Sequence, residues 1–378
     1  MQYLIKFAFY MKKYLIIAVS LLAGAVSCKH AVMAPRPTIP LVLNIAADDS
    51  SRLGQIAAEA GSVGKDGSIA IVGEPQDAIL LARRFQGADD VDNVDGKPKR
   101  DSLPDFAGEC FDAILDAANT PFSRYERGHS LDSLREAAVN ASLFAWDSTC
   151  YRLATDHKAL LLKNRAKIVI FTSSLQAANG IFDVDTLLQL TGGNSILLSP
   201  TRVLLEDAIA GGARTIAVWT KAEVKESGAW EAEFARMDNK NVLLSVIAPV
   251  NALDVRTRFR DLMRQYQELG RTMDALIIDD YDTDGAPLRS ELALIRQGGT
   301  AEDAIFDRML PEGFRFIHAP SAIIGHTYKI LREGNLFSHR ISRPTVKYYE
   351  SAESDSGDIV FVEAASSYIH DAYVSKLN

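Results

Sequence analysis

Basic residues are in short supply. The 41 lysines and arginines face 49 acidic residues, for a formal net charge of −8. No basic stripe offsets this balance, which disfavours a nucleic-acid partner. Cysteine is scarce: Cys28, Cys110 and Cys150 are the whole supply, which rules out a disulfide-framework protein. Internal repeats and low-complexity tracts are absent. A long apolar run is also missing. Residues 14–26 form an apolar stretch too short to span a bilayer comfortably. What is present is a chain of 378 residues, 47% hydrophobic, enough to bury one large core or two smaller ones.

The N-terminus reads as a targeting segment. Met11, Lys12 and Lys13 supply a positive start, and residues 14–26 an apolar core. Residues 1–10 are then an upstream extension. The apolar core ends in Ala25-Val-Ser-Cys28, which resembles a bacterial lipoprotein cleavage box. The resemblance implies that residues 1–28 are a lipoprotein-type signal segment and that Cys28 becomes the lipidated first residue. The plainer alternative is an ordinary signal peptide cut near Ser27. Both place the mature protein outside the cytoplasm, in the periplasm or at the cell surface, and the first anchors it to a membrane. Residues 29–40, with Pro35, Pro37 and Pro40, read as a stiff tether. Export leaves Cys110 and Cys150, which an oxidising compartment permits either to pair or to remain as buried thiols.

Further along, apolar β-type runs alternate with helical patterns, the signature of an α/β protein with mainly parallel strands. Strands are expected at 41–45, 68–72, 111–115, 167–171, 195–198, 215–219, 242–247, 275–278 and 314–317. Helices are expected at 51–60, 76–86, 131–143, 151–162, 181–191, 204–210, 229–237, 256–269, 321–332 and 366–377. Residues 87–105, acidic and then basic, read as a solvated surface loop.

Residues 280–291 have the spacing of a calcium loop. Asp280, Asp282 and Asp284 stand at positions 1, 3 and 5, Gly285 at 6, the carbonyl of Ala286 at 7 and Glu291 at 12. Four carboxylates within residues 279–284 repel one another, and a divalent cation relieves this. Calcium is therefore the candidate cofactor. Two features oppose it: Pro287 replaces the usual branched apolar residue, and a strand rather than a helix enters the loop. The alternative is a solvated acidic turn.

From about residue 111 to 352 the order of segments resembles the aspartate/glutamate racemase family. Asp116-Ala-Ala-Asn-Thr120-Pro121-Phe122-Ser123 looks like the family's substrate loop. Ile168-Val-Ile-Phe-Thr172-Ser173-Ser174 occupies the place of a strand ending in Cys-Asn-Thr. Leu197-Leu-Ser199-Pro200 looks like the opening of the second lobe. Thr215-Ile-Ala-Val-Trp-Thr220 and Ser227-Gly-Ala-Trp230 resemble a later strand and loop. Asp274-Ala-Leu-Ile-Ile278 and Pro287-Leu288 stand where the family has Gly-Cys-Thr-His-Tyr-Pro-Leu. Phe316-Ile-His-Ala-Pro320 and Tyr348-Tyr-Glu-Ser351 resemble its closing segments. Its first motif, Asp-Ser-Gly, has no clean counterpart; the nearest is Ile71-Val-Gly-Glu74-Pro75.

The resemblance implies two flavodoxin-like lobes facing each other across a cleft, about 41–194 plus 312–378 and 195–311. Strand tips point into such a cleft. Thr172 and Asp280 replace the family's two catalytic cysteines, and a threonine hydroxyl is a poor base without an activating partner. Two-cysteine racemisation is therefore not expected. The expected activity is binding of a small carboxylate or amino acid through Thr120, Ser123, Thr172, Ser173, Ser174 and Thr220, with Ser199 nearby. Chemistry, if any, is of isomerase or lyase type, with Asp280 or Asp282 as base and His318 or His326 as acid or base. The alternative function is a non-catalytic periplasmic ligand-binding or surface interaction protein. A type I periplasmic binding protein is the other two-lobed α/β fold in view.

Overall fold

The computed structural model describes residues 36–92, 96–125, 131–252 and 254–375. The signal segment with Cys28, and most of the expected tether, lie outside the described residues. Residues 37–378 form one unit. No helix among the described residues is long and apolar enough to cross a membrane.

Two sheets organise the unit. The strands are β1 (Ser68–Gly73), β2 (Cys110–Leu115), β3 (Thr149–Leu153), β4 (Asp156–Leu162), β5 (Ala166–Phe171), β6 (Ile196–Leu198), β7 (Thr215–Trp219), β8 (Leu243–Ile247), β9 (Ala275–Ile278), β10 (Arg315–His318), β11 (Thr345–Glu353) and β12 (Ile359–Ala364). The large sheet runs β4-β3-β12-β11-β2-β1-β5-β6 and the small one β10-β9-β7-β8. The small sheet is wholly parallel. The large sheet is parallel through β11-β2-β1-β5-β6 and antiparallel at β11-β12 and β3-β4. This is the expected α/β class with mainly parallel sheets.

The apolar runs become central strands because both faces are covered. Every residue of β1, β5 and β9 is buried, as helices packed on both sides of a parallel sheet require. Ile71, Ile170, Val218 and Ile277 belong to one apolar cluster that includes strands of both sheets.

Three local expectations are corrected. Residues 41–45 are not a strand but part of the helix Pro40–Ala47, which opens with proline at its start and buries Val42 and Ile45 three residues apart. That helix also ends the tether: Ile39 is buried, and Arg135 Nη2 donates to the Pro37 carbonyl at 2.7 Å. Residues 151–162 are not a helix but belong to the β3-β4 hairpin. The lobe boundaries also fall elsewhere. β6, after residue 195, extends the large sheet, and β10, after residue 312, edges the small one.

One hydrogen bond beyond each strand carries the site residues to the carboxyl edges. Asp116 N donates to Gly73 O at 2.9 Å, Thr172 N to Val72 O at 2.8 Å, Thr220 N to Ile247 O at 3.1 Å and Asp279 N to Trp219 O at 2.9 Å. Each tip residue is thus fixed by its neighbour strand before the chain turns into a helix.

Candidate functional site

The tips of β5 and β9 meet directly. Ser174 Oγ, in the first turn of the helix Ser174–Thr191, lies 2.9 Å from each carboxylate oxygen of Asp279. Tyr281 Oη donates to the Thr172 carbonyl at 2.9 Å. Beside this junction a pocket of about 300 Å³ is walled by the tips of five strands. Glu74 and Asp77 come from beyond β1, and Phe122 and Ser123 from beyond β2. Ser173 and Ser174 follow β5, Thr220 and Lys221 follow β7, and Asp279, Asp280 and Tyr281 follow β9.

Asp279 rather than Asp280 holds the centre of the junction. Its carboxylate accepts from Ser174 Oγ, from Thr220 Oγ1 at 2.7 Å and from Trp230 Nε1 at 3.1 Å. Burial pushes its pKa above the ordinary value, against the pull of these three donors. Asp280 is more open to the pocket. Burial opposes its ionisation, yet hydrogen bonds from Asp282 and Thr283 hold its pKa below the ordinary carboxylate value. Arg258 Nη1 lies 3.6 Å away. Asp282 is exposed and outside the pocket wall. Its hydrogen bond with Asp280, together with partial desolvation and the Asp280 charge, pushes it up to about 6.

Lys221 is the cation in this wall. Its Nζ stands 3.9 Å from Asp77 Oδ2. Asp77 foremost, then Glu74, Asp280 and Asp279, raise the Lys221 pKa against burial. Burial pushes Asp77 up to about 7 despite Lys221. Asp77 therefore changes charge near neutral pH, a property suited to proton transfer. Glu74 is tied in place, its Oε1 accepting from Phe122 N at 2.8 Å.

The expected ligand-binding hydroxyls divide. Ser123, Ser173, Ser174 and Thr220 line the pocket. Ser174 and Thr220 already donate to Asp279, and Ser173 caps its helix by accepting from Gln176 N at 3.2 Å. Thr120 does not line the pocket. Its hydroxyl donates to the Asp116 and Ala117 carbonyls in its own loop, at 2.9 Å each. Thr172 is buried behind the tip, and its Oγ1 has no partner. A Cβ on Gly73 would collide with that oxygen, so glycine is what lets β1 and β5 close here. Ser199 pairs with Thr201 at 2.7 Å and is buried. Cys110 and Cys150 are free thiols and line no part of the pocket.

His318 is not beside Asp280 in this pocket. It ends β10 and faces a separate cavity with Asp284 and Gly285. His326 lies in another groove, with Glu206 and Lys329.

The calcium-loop spacing folds as something else. Asp284 is the N-cap of the helix Gly285–Gln297 and accepts from Ala286 N at 2.9 Å. The Ala286 carbonyl accepts from Ser290 Oγ at 3.0 Å. Glu291 is buried within that helix and receives Arg260 Nε at 2.6 Å. Asp280, Asp282, Asp284, Ala286 and Glu291 do not converge. Among the described residues no group of three or more His, Cys, Asp or Glu is placed to hold a metal ion. The physical reason is Gly285: it begins a helix instead of turning a loop, and Pro287 sits in the first turn, where its missing N–H costs nothing.

Sequence reasoning missed Asp77, Lys221 and the central role of Asp279. Each had a signal. Glu74-Pro75 marks a helix start after a buried strand, so Asp77 falls in that helix's first turn. Lys221 and Asp279 directly follow or precede residues that were singled out.

No protein-family model matches the chain, and no curated protein sequence matches it. Solved structures of similar fold include a glutamate racemase of Bacillus anthracis, at 13% identity over 76% of this chain and 90% of that one, TM-score 0.48. A glutamate racemase of Francisella tularensis, determined with D-glutamate, matches at 12% identity over 78% and 91%, TM-score 0.47. An aspartate racemase homologue of Pyrococcus horikoshii matches at 11% over 71% and 99%, TM-score 0.39. No residue's role in this chain rests on them.

Proposed function

We propose that the pocket between the strand tips binds a small amino acid, with its ammonium on the wall of Glu74, Asp77 and Asp280 and its carboxylate on Lys221. The observation that carries this reading is a single lysine set among four carboxylates in about 300 Å³. A zwitterion satisfies both signs. A dicarboxylate adds a negative charge to an acidic wall, which is unfavourable at short range in a partly desolvated site. The class favoured is therefore a neutral or basic amino acid. Asp77, with a pKa of about 7, is the group for any proton transfer of isomerase or lyase type. No thiol is part of the proposal.

Calorimetric titration with a panel of amino acids tests it. Binding of neutral or basic members, weakened by Lys221→Met, is the expected result; preference for aspartate or glutamate would overturn it. Deuterium wash-in at the α-carbon separates catalysis from the second reading, a non-catalytic binding protein. Ser174 and Thr220 favour that second reading, because Asp279 already occupies their hydroxyls. Export and lipid anchoring through Cys28 rest on the sequence of residues 11–28. Palmitate labelling lost in Cys28→Ser is the test of that part.

A further inference from the structure

We propose that a second cavity, walled by Arg84, Arg289 and His318, binds an oxyanion of the phosphate type. The cavity has a volume of about 510 Å³ and is lined by Thr283, Asp284 and Gly285, which follow the Asp279, Asp280 and Tyr281 of the amino-acid pocket in sequence. It receives Arg84 from the last turn of the helix Pro75–Gln86 and Arg289 from the helix Gly285–Gln297. His318 comes from the end of β10.

Formal charge in this wall balances, with three arginines (Arg84, Arg100 and Arg289) against three carboxylates, but each carboxylate already has a donor of its own. Asp89 accepts from the backbone N–H groups of Asp101 and Ser102, at 3.0 and 3.2 Å. Asp90 pairs with Arg100 at 3.2 Å. Asp284 caps its helix through Ala286 N. Among the described residues, Arg84 and Arg289 have no ion-pair or hydrogen-bond partner. His318 Nε2 is a buried nitrogen with no partner. Two exposed guanidiniums without a protein partner thus face one space, and the orphaned imidazole nitrogen lies buried in its wall. Arginine forks match the oxygen spacing of phosphate, and a buried unpaired ring nitrogen is costly until something meets it.

Room is left for the occupant by Gly285. A Cβ there would stand 2.8 Å from both Arg289 Nη1 and His318 Nε2, filling the gap between them. The backbone agrees in sign. His318 is the N-cap of the helix Ala319–Glu333 but makes no side-chain cap hydrogen bond. The positive end of that helix therefore lies beside the cavity-lining Ser321. The volume exceeds what one phosphate ion fills, so the class extends to phosphate monoesters of small molecules.

Calorimetry on the full chain, with inorganic phosphate and separately with glycerol phosphate, tests the site. One binding event is expected, weakened at least about tenfold by Arg84→Ala and by Arg289→Ala. Lys221→Met, in the other pocket, should leave it unchanged. Arg289→Lys keeps the charge without the fork and should retain part of the affinity, which guards against a folding defect. Tighter binding of the monoester identifies a phosphorylated metabolite as the source, and tighter binding of phosphate the free ion. Absence of heat with both probes up to about 10 mM overturns the proposal. So does binding that the two alanine variants leave intact.

Discussion

Ser174 and Asp279 hold the tips of two separate sheets within hydrogen-bond distance of each other. The hydroxyl lies 2.9 Å from both carboxylate oxygens, between residues 105 positions apart in sequence. The serine opens a helix on the large sheet, and the aspartate ends a strand of the small one. A buried carboxylate depends on its donors, since each one lost leaves charge uncompensated in a dry site. Ser174→Ala should cost about 1–3 kcal/mol of unfolding free energy, measured by urea denaturation, and should raise the Asp279 pKa further. A variant as stable as the parent would mean that water replaces the hydroxyl without loss.

Thr172 should behave in the opposite way. It stands on the same β5 tip, yet its Oγ1 is buried with no partner. An unpaired buried hydroxyl is a cost the fold carries, and valine has nearly the same shape. Thr172→Val is therefore expected to be neutral or stabilising by up to about 1 kcal/mol. The same denaturation assay decides, and a loss as large as that of Ser174→Ala would reveal a partner for Oγ1. The contrast between these two residues, two positions apart, follows from hydrogen bonding alone, because both are almost fully buried.

How much of this was legible in the sequence depends on the range of the interaction. Buried parallel strands such as 168–171 and 275–278 declare themselves as continuous apolar runs, because both faces are covered. β11 and β12 do not, since each is only partly buried and mixes polar with apolar residues. Residues 151–162 of the hairpin read as helical because no turn signal as strong as Asn-Gly interrupts them. The site was half visible. Strand ends at Thr172 and Asp280 located the cleft. Which carboxylate would be buried, and which would meet Lys221, depends on contacts between tips far apart in sequence. No local pattern encodes those contacts. The calcium spacing shows the same limit: spacing fixes which residues are acidic, whereas convergence needs a loop, and here a helix starts at Gly285.

That helix start makes a prediction about Glu291. Arg260 reaches three acids at once: Nε to Glu291 at 2.6 Å, Nη1 to Glu302 at 3.1 Å and Nη2 to Asp303 at 2.9 Å. Glu291 and Asp303 are both buried. Removing the guanidinium strands their charges. Arg260→Ala is expected to cost about 2–4 kcal/mol, whereas Glu291→Gln, which keeps a hydrogen-bond acceptor, should cost less. Thermal unfolding with added calcium and with chelator is expected to give the same loss for each variant. Destabilisation of Glu291→Gln only when calcium is present would restore Glu291 as a cation ligand.

Asp77 gives the sharpest dependence on pH. Its carboxyl is raised from the ordinary 3.8 to about 7, chiefly by burial, with Lys221 opposing. The side chain is 18% exposed and its lysine 52%. Between those two values the folded state holds a proton that the unfolded state has already released. Stability from this group is therefore fully present below the unfolded value, falls as pH rises toward about 7 and is flat above it. Asp77→Asn cannot ionise, so this slope should vanish in the variant. Compared with the parent in urea at about pH 5 and about pH 8, the variant should gain relative stability at the higher pH. Asp116 and Asp282, each raised to about 6, titrate in the same window, but they do so in both proteins, and the difference isolates Asp77. Amino-acid binding should follow the same midpoint, strengthening above it as the ammonium meets an ionised partner. A parent–variant difference that stays constant across this range would show Asp77 ionising like any surface carboxylate, and the pocket would then lose its group for proton transfer near neutral pH.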